Sequence, residues 1–567
     1  MSLSRLRTMA LLAGLILAFT VAVSAVGCWK YTNYKYQGLD LAIYTNVLAS
    51  LADGHGWWSS IQGGSYLGDH VEPILLILVP LFRVWSDPRL LIVAQACVLA
   101  FSVIPVAALL PPTRWRTLLL VAWLLNPLLW NAALFEFHAL AFAPVLLLGA
   151  AVSYRRERWG IAALLLLLAC AVREDVALMV AMMGIVVMGE GWRLHAAGSS
   201  ARRHRYWWGF RVLLLGTLWF VAATRIGAAH TPVGAYKFLA YYGWLGDSFL
   251  TVILHAAQHP IRVLRHVMTI GNIDFVLGLL MPFLFLPMVP IMECTGRWIA
   301  RHRASASACG TWWFLPALPP LLQVVLAYAG GSALVVEMHY GLLFLPALAI
   351  VTIDVVDAWQ SGAFPVLRRV IIAHLPLPRA AWGTVSVVAY LYVVGALGPW
   401  SGIANAFLRG APGDIQSRRL AYDALLVRVP SDAAVAVGYA ALPHVAARPA
   451  AYSLGYAFLG VGQFADRPYI LPESVQYLLL DTRDAVAYAV QFPVSGWAQP
   501  YAAGGPERLR AIVRSGAFRV VDERNEVALL VRGTIGAMPG DDYFAPSAPV
   551  RGYLVVDSLR DIVVERE

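Results

Sequence analysis

Long apolar runs separated by short clusters of Arg follow one another along the chain as far as about residue 400. Runs approaching the roughly 20 residues that cross a bilayer predict transmembrane helices. They fall near 8–28, 89–110, 117–131, 138–153, 160–171, 176–189, 212–228, 273–292, 312–330, 339–356 and 382–400, about eleven in all. The predicted fold class is therefore mainly α, a polytopic transmembrane helical bundle.

The Arg clusters orient these spans, because short loops rich in Lys and Arg stay on the cytoplasmic side. Arg5 and Arg7, PPTRWR, YRRERW, EGWRLHAAGSSARRHRYWWGFR, GRWIARHR and the segment with Arg368, Arg369 and Arg379 are predicted inside. The run IAALLLLLACAVREDVALMVAMMGIVVM is basic on both flanks, so it reads as a hairpin with Arg173, Glu174 and Asp175 at its outer tip. The segment 117–154 reads as a second hairpin, whose turn holds Glu136, Phe137 and His138. Residues 71–85 are apolar but too short to cross and predict an interfacial or re-entrant helix. An odd number of spans puts the carboxyl end outside and the amino end inside.

After residue 400 the period changes. AVAVG, VQYLLLD, FRVV and EVALLV are short β-type runs, and ERLRAIVRSG is an amphipathic helix between two of them. The expected organisation is a transmembrane domain over 1–400, with a first outer loop over 29–88, and a small extracytoplasmic α/β domain over 401–567. The tail carries no Gly-rich phosphate loop, nucleophile elbow or metal signature.

Composition agrees with a membrane protein: 59% of the 567 residues are hydrophobic, 13% are charged, and mean hydropathy is +0.66. The net charge of +10 comes from Arg between apolar runs rather than from a basic stripe, which argues against nucleic acid. Cys28, Cys97, Cys170, Cys294 and Cys309 show no paired spacing, so neither a disulfide framework nor a Cys metal site is expected. The first apolar run is read as an uncleaved membrane span.

On this topology the unusual polar residues gather on the outer face. The first loop carries Asp40, Asn46, Asp53, His55, Asp69, His70 and Glu72; the next two turns carry Glu136 with His138 and Arg173 with Glu174 and Asp175; the last carries Glu337, His339 and Tyr340. Ionisable groups at a membrane are seldom kept without a partner or a task, so a shared outward cavity is expected. Each has a structural alternative: Asp40 as the cap of a helix starting at Leu41, Asp69 as a cap, Glu136 and His138 as an ion pair, Arg173, Glu174 and Asp175 as a self-neutralising network. Lys237, Arg262 and Arg265 make the loop 230–272 basic against the charge rule, which suits an anionic ligand such as phosphate.

The ordered series GLDLAIYTN, GDHVEPILLILVPLF, FEFHALAFAPVLLL, VREDVAL and MHYGLLFLPAL, with a tail containing VPSDAAVAVGYAALPHVAARPAAYSLG, resembles an uncharacterised family of prokaryotic multispanning proteins of unknown function. That family in turn resembles the C-type glycosyltransferases, membrane enzymes that use polyprenyl-phosphate sugars at the outer face and place a catalytic acid in the first outer loop. The resemblance implies sugar transfer from such a donor to an unidentified acceptor, with Asp40 as the catalytic acid. It further suggests Arg173, Lys237, Arg262 and Arg265 for the donor phosphate. His70, Glu136, His138, Glu174 and Asp175 are then candidate ligands of a divalent ion, Mg or Mn, although the loop lacks an Asp-Asp or Asp-x-Asp pair. Asn46, Glu72, His339 and Tyr340 would line the cavity. A transporter or lipid flippase is the chief rival reading, disfavoured by the absence of repeated halves, and a non-catalytic scaffold is the third.

Overall fold

In a bilayer each backbone N–H and C=O must be satisfied within its own segment, and runs of Leu, Ala and Val meet that demand as helices. The computed structural model describes residues 3–540, apart from 37, 194–199, 232–233, 300–309, 328–331, 363, 365–378, 401–402, 404–412, 464–467, 485–486, 489–497 and 534–535. Cys309, Arg368, Arg369 and the start of the predicted tail at 401 lie outside the described residues.

Among the described residues, five helices are long and apolar enough to cross a membrane: Leu6–Thr32, Arg89–Leu109, Arg116–Phe135, Glu174–Trp192 and Arg203–His230. The pair Pro260–Val267 and Ile270–Phe283, bent by 65°, makes a sixth if taken as one broken span. The other predicted crossings fall on shorter apolar helices, among them Ala139–Arg155, Trp159–Cys170 and Gly383–Leu397, or on Leu345–Gln360. Only 17% of the apolar window of Leu6–Thr32 is buried, and 28% of that of Arg203–His230. Leu17, Val21, Leu218 and Val221 lie open on those helices; water would penalise so much exposed apolar surface, and lipid does not.

The RED segment forms the turn of a helical hairpin between Trp159–Cys170 and the helix that begins at Glu174. That second helix packs closely on Ser200–His230 through small residues. A Cβ on Gly184 would stand 2.4 Å from the Leu213 nitrogen, and one on Gly216 2.4 Å from the Ala177 oxygen. Such backbone contact is how helices associate where lipid removes the hydrophobic drive. Residues 71–85 form a 3-10 turn, Pro73–Ile77, and a short helix, Val79–Val84. Ile74, Leu75, Leu78 and Phe82 point inward while Leu76, Ile77, Leu81, Val84 and Trp85 are exposed, the two-sided pattern of a segment lying in a bilayer interface.

One expectation about cysteine fails: Cys294 is disulfide-bonded. Spacing alone does not reveal an isolated pair.

The tail folds on a five-stranded sheet of β3 (Val435–Val437), β4 (Ala451–Ser453), β5 (Tyr477–Asp481), β6 (Phe518–Arg524) and β7 (Val527–Arg532), in the order β4-β3-β5-β7-β6. The β3 strand pairs in parallel with β4 and β5, and β7 runs antiparallel to β5 and β6. The four apolar runs in the sequence became β3, β5, β6 and β7; AYS at β4 is too short and mixed to show as a strand. The Gly505–Ser515 helix buries Leu509 and Val513.

This domain is seated on the first loop. The His444 ring is stacked between Tyr31 and Tyr34, with centroids at 4.1 and 4.0 Å, and Ser60 Oγ donates to the Ala451 carbonyl at 2.9 Å. One continuous apolar core, from Phe19 and Val23 to Leu529 and Leu530, runs through both parts. Within the loop, β1 (Trp58–Ser59) and β2 (Gly64–Ser65) form a two-residue antiparallel ladder.

Candidate functional site

The site is organised by the first turn of the Leu39–Ala52 helix. Gly38, its N-cap, has φ 81°, a left-handed conformation natural to glycine, and no side-chain hydrogen bond of its own. The exposed N–H groups of a helix start need acceptors, and Glu136 supplies two from the turn after the Pro127–Phe135 helix. Its carboxylate accepts from the Gly38 N–H at 2.9 Å and the Leu41 N–H at 2.7 Å. Burial, with the Asp40 charge adding to it, pushes Glu136 above the usual carboxylate range against those two bonds.

Asp40 is therefore not the cap, contrary to the structural alternative for it. It lies inside the first turn with its side chain 39% exposed, and its Oδ2 stands 3.2 Å from Nε2 of the buried His138. The neighbours fix His138 in place. Its backbone N–H donates to Gln95 Oε1 at 2.8 Å, while Gln95 Nε2 donates to the carbonyls of Ala132, Ala133 and Glu136 at 3.1, 3.3 and 3.0 Å. The His138 ring stacks on His339 at 3.3 Å, and the His339 ring meets Tyr340 at 4.1 Å. Arg173 lies over the Tyr340 ring at 5.3 Å and forks onto Asp175. A row of contacting side chains thus joins Asp40 to the RED turn.

A second set of contacts lies beside it. His70 Nδ1 pairs with Glu174 Oε1 at 2.8 Å, and Glu174 also accepts from Tyr236 Oη at 2.9 Å and the Val71 N–H at 3.2 Å. Burial alone would lower His70, but the Glu174 carboxylate raises it above the usual histidine value. Glu72 is fully enclosed and accepts from Tyr66 Oη at 2.7 Å and Tyr44 Oη at 3.2 Å; burial lifts its carboxyl to about 7. Asp69 pairs with Lys237 and accepts from Gln62 Nε2 at 2.6 Å. Burial opposes its charge, yet Lys237 and His70 hold it below the usual range.

The structure brings together Asp40, His138, His339, Tyr340, Arg173 and Asp175, and next to them His70, Glu72, Glu174 and Lys237. Glu136 and His138 are not an ion pair: one holds the helix start and the other meets Asp40. Within RED only Arg173 and Asp175 neutralise each other. Arg262 and Arg265 stand apart, on the exposed helix Pro260–Val267, with Arg262 over the Trp244 ring at 5.6 Å. Asn46 is a tie between the two parts of the molecule. Its Nδ2 donates to the Ala446 and Arg448 carbonyls at 2.9 and 3.1 Å, and its Oδ1 accepts from the Ser60 N–H at 2.9 Å and Ser59 Oγ at 3.1 Å.

Among the described residues no three His, Cys, Asp or Glu side chains converge as a metal group; Glu136 caps a helix, Glu174 holds His70, and Asp175 holds Arg173. Gln95, Tyr44, Tyr66 and Tyr236 complete the site without having been singled out from the sequence. A lone Gln inside an apolar run was a legible signal for the first of these, and Tyr236 gave none.

Every residue of the Asp40 to RED row except His339 and Tyr340 falls in one matched segment. Residues 30–293 match a family described as Predicted membrane protein (DUF2079). The DUF2079 match ends before His339, Tyr340 and the sheet, so it covers just under half of the chain, and the family has no established function. No curated protein matches the chain.

Proposed function

We propose that the protein is an integral membrane glycosyltransferase that moves a sugar from a polyprenyl-phosphate donor to an acceptor hydroxyl at the outer face of the cytoplasmic membrane. The observation that carries this reading is the exposed Asp40 carboxylate, 3.2 Å from a buried His138, on a helix start held by Glu136. A base must take the acceptor proton as its oxygen attacks the anomeric carbon and the bond from that carbon to the phosphate oxygen breaks. Asp40 accepts that proton; His138 orients the carboxylate. The phosphate leaves on the lipid with the bonding electron pair.

The apolar outward side of residues 76–85 suits a lipid donor whose phosphate lies at headgroup level. Lys237 lies beside the site paired with Asp69, and Arg262 and Arg265 supply positive charge on the exposed Pro260–Val267 helix. Arg173, engaged with Asp175, contributes its field more than a free hydrogen-bonding fork. No step is routed through a metal ion, because the nominated ligands are held by other partners.

The test is turnover of a panel of polyprenyl-phosphate sugars by the purified protein in lipid nanodiscs. Release of polyprenyl phosphate or labelled product supports the reading. No turnover and no donor binding across the panel transfers the weight to transport, lipid flipping or scaffolding.

A further inference from the structure

A cavity of about 440 Å³ lies apart from the row of contacts around Asp40, between the first loop, the residues His230, Thr231 and Lys237, and the carboxyl-terminal domain. Its size falls within the roughly 300–1,000 Å³ of small-molecule sites. Its wall combines two kinds of side chain. Trp58, Tyr452 and Tyr456 contribute aromatic rings, and Gln62, Asp69 and Lys237 contribute donors and acceptors. Gly63, Gly64 and Gly462 keep parts of the wall free of side chains.

Gln62 points to a ligand in particular. Its Nε2 is satisfied by Asp69 at 2.6 Å, but its Oε1 is buried without a hydrogen-bond partner. A buried amide oxygen left unpaired is costly, so a shift of the Gln62 side chain that meets a hydroxyl or amide donor in the cavity would gain a hydrogen bond. Asp69 and Lys237 offer an acceptor and a donor on the same wall, already neutralised by each other, which favours an uncharged ligand over an ion. Rings presenting an apolar face beside amide, carboxylate and ammonium groups match a molecule with an apolar face and an edge of hydroxyls. That is the chemistry of a pyranose sugar.

The cavity wall is linked by packing to the helix start that carries Asp40. Tyr456, in its wall, follows Gly455, where a Cβ would stand 2.4 Å from the Tyr439 ring, and the Tyr439 carbonyl lies so close to Gly38 that a Cβ there would stand 2.1 Å from it. From these features we infer that the cavity is a sugar-binding subsite, taking one or two residues of a neutral glycan. The inference rests on the transferase reading and deepens it by naming a sugar site linked to the Asp40 helix start, and the sugar belongs either to the acceptor or to the lipid-linked donor.

The test uses the full-length protein in nanodiscs, with free neutral oligosaccharides of hexose and N-acetylhexosamine in one arm and polyprenyl-phosphate hexose in the other. Binding is read by calorimetry and by saturation-transfer NMR. Saturable binding is expected in at least one arm: free glycan marks an acceptor subsite, and binding confined to the lipid-linked sugar marks a donor subsite. Trp58→Ala removes a half-exposed ring and is expected to weaken binding about three- to tenfold. Gln62→Leu, which loses the unpaired oxygen, is expected to weaken it by about tenfold, with the melting temperature of each variant verifying the fold.

The inference is overturned if no sugar in either arm binds saturably, or if both folded variants bind as the wild type does. The two readings separate cleanly. Glycan binding that depends on Trp58 and Gln62 without turnover would keep the subsite and sink the transferase; turnover with a KM indifferent to both variants would do the reverse.

Discussion

Asn46 offers the sharpest test of how the carboxyl-terminal domain is fastened over the site. Its side chain spends both hydrogens on the Ala446 and Arg448 carbonyls and its oxygen on the Ser60 N–H and the Ser59 hydroxyl. The residue is 4% exposed, so water cannot replace these partners. In Asn46→Ala the two carbonyls and the Ser60 N–H lose their partner, while the hydroxyls can rotate. A buried group left unpaired costs about 1–3 kcal/mol, and relaxation shares the loss, so a total of roughly 3–5 kcal/mol follows for the three backbone groups. Asn46→Asp keeps the shape but turns an acceptor toward two carbonyls, and is expected to cost at least as much. Thermal unfolding in detergent, followed by intrinsic fluorescence and by limited proteolysis of the sheet domain, reads both variants. A fall of several degrees in Tm with earlier cleavage of the domain is expected. If Asn46→Ala unfolds within about one degree of the wild type, the fastening does not rest on this residue and the reasoning fails.

Three further predictions rest on other parts of the site. Gly38→Ala meets both a left-handed φ, worth about 1–2 kcal/mol, and the Tyr439 carbonyl 2.1 Å from the new Cβ; it should lower Tm and impair any activity that depends on Asp40, and an unchanged Tm would refute the close approach. Glu72 has its folded pKa raised to about 7, so the protonated form is the one the fold favours. Its contribution is full below about pH 4.5 and is lost as pH rises through about 7, on the order of 3 kcal/mol in all, and a Glu72→Gln protein whose stability shows the same pH slope as the wild type between pH 5 and 8 would contradict this. His138→Ala removes the group that orients Asp40 and should lower kcat at least about tenfold with little change in donor KM; an effect on KM alone would assign His138 to binding instead.

Much of the fold was readable because its signals are local and repeated. The helical hairpin at 159–193 followed from basic flanks, and four of five tail strands from short apolar runs. The full count of crossings was harder, since a short buried helix such as Trp159–Cys170 has the same composition as a span. The gathering of GLDLA, the Glu136–His138 turn, RED and HYG on one face was legible from topology. The partnerships were not. That Glu136 would cap a helix begun at Gly38, 98 positions away, and that Glu174 would take His70 rather than Arg173, depends on tertiary geometry alone. The disulfide at Cys294 and the role of Asn46 as a tie were hidden for the same reason.

The central claim rests on one carboxylate. Turnover of polyprenyl-phosphate sugars by wild type and Asp40→Asn, each verified as folded by melting temperature, measures it directly. Loss of a general base typically costs about 10²–10⁴ in rate, so the account predicts a fall of that size in kcat in the variant with donor binding retained. A folded Asp40→Asn protein that transfers sugar at the wild-type rate would contradict it.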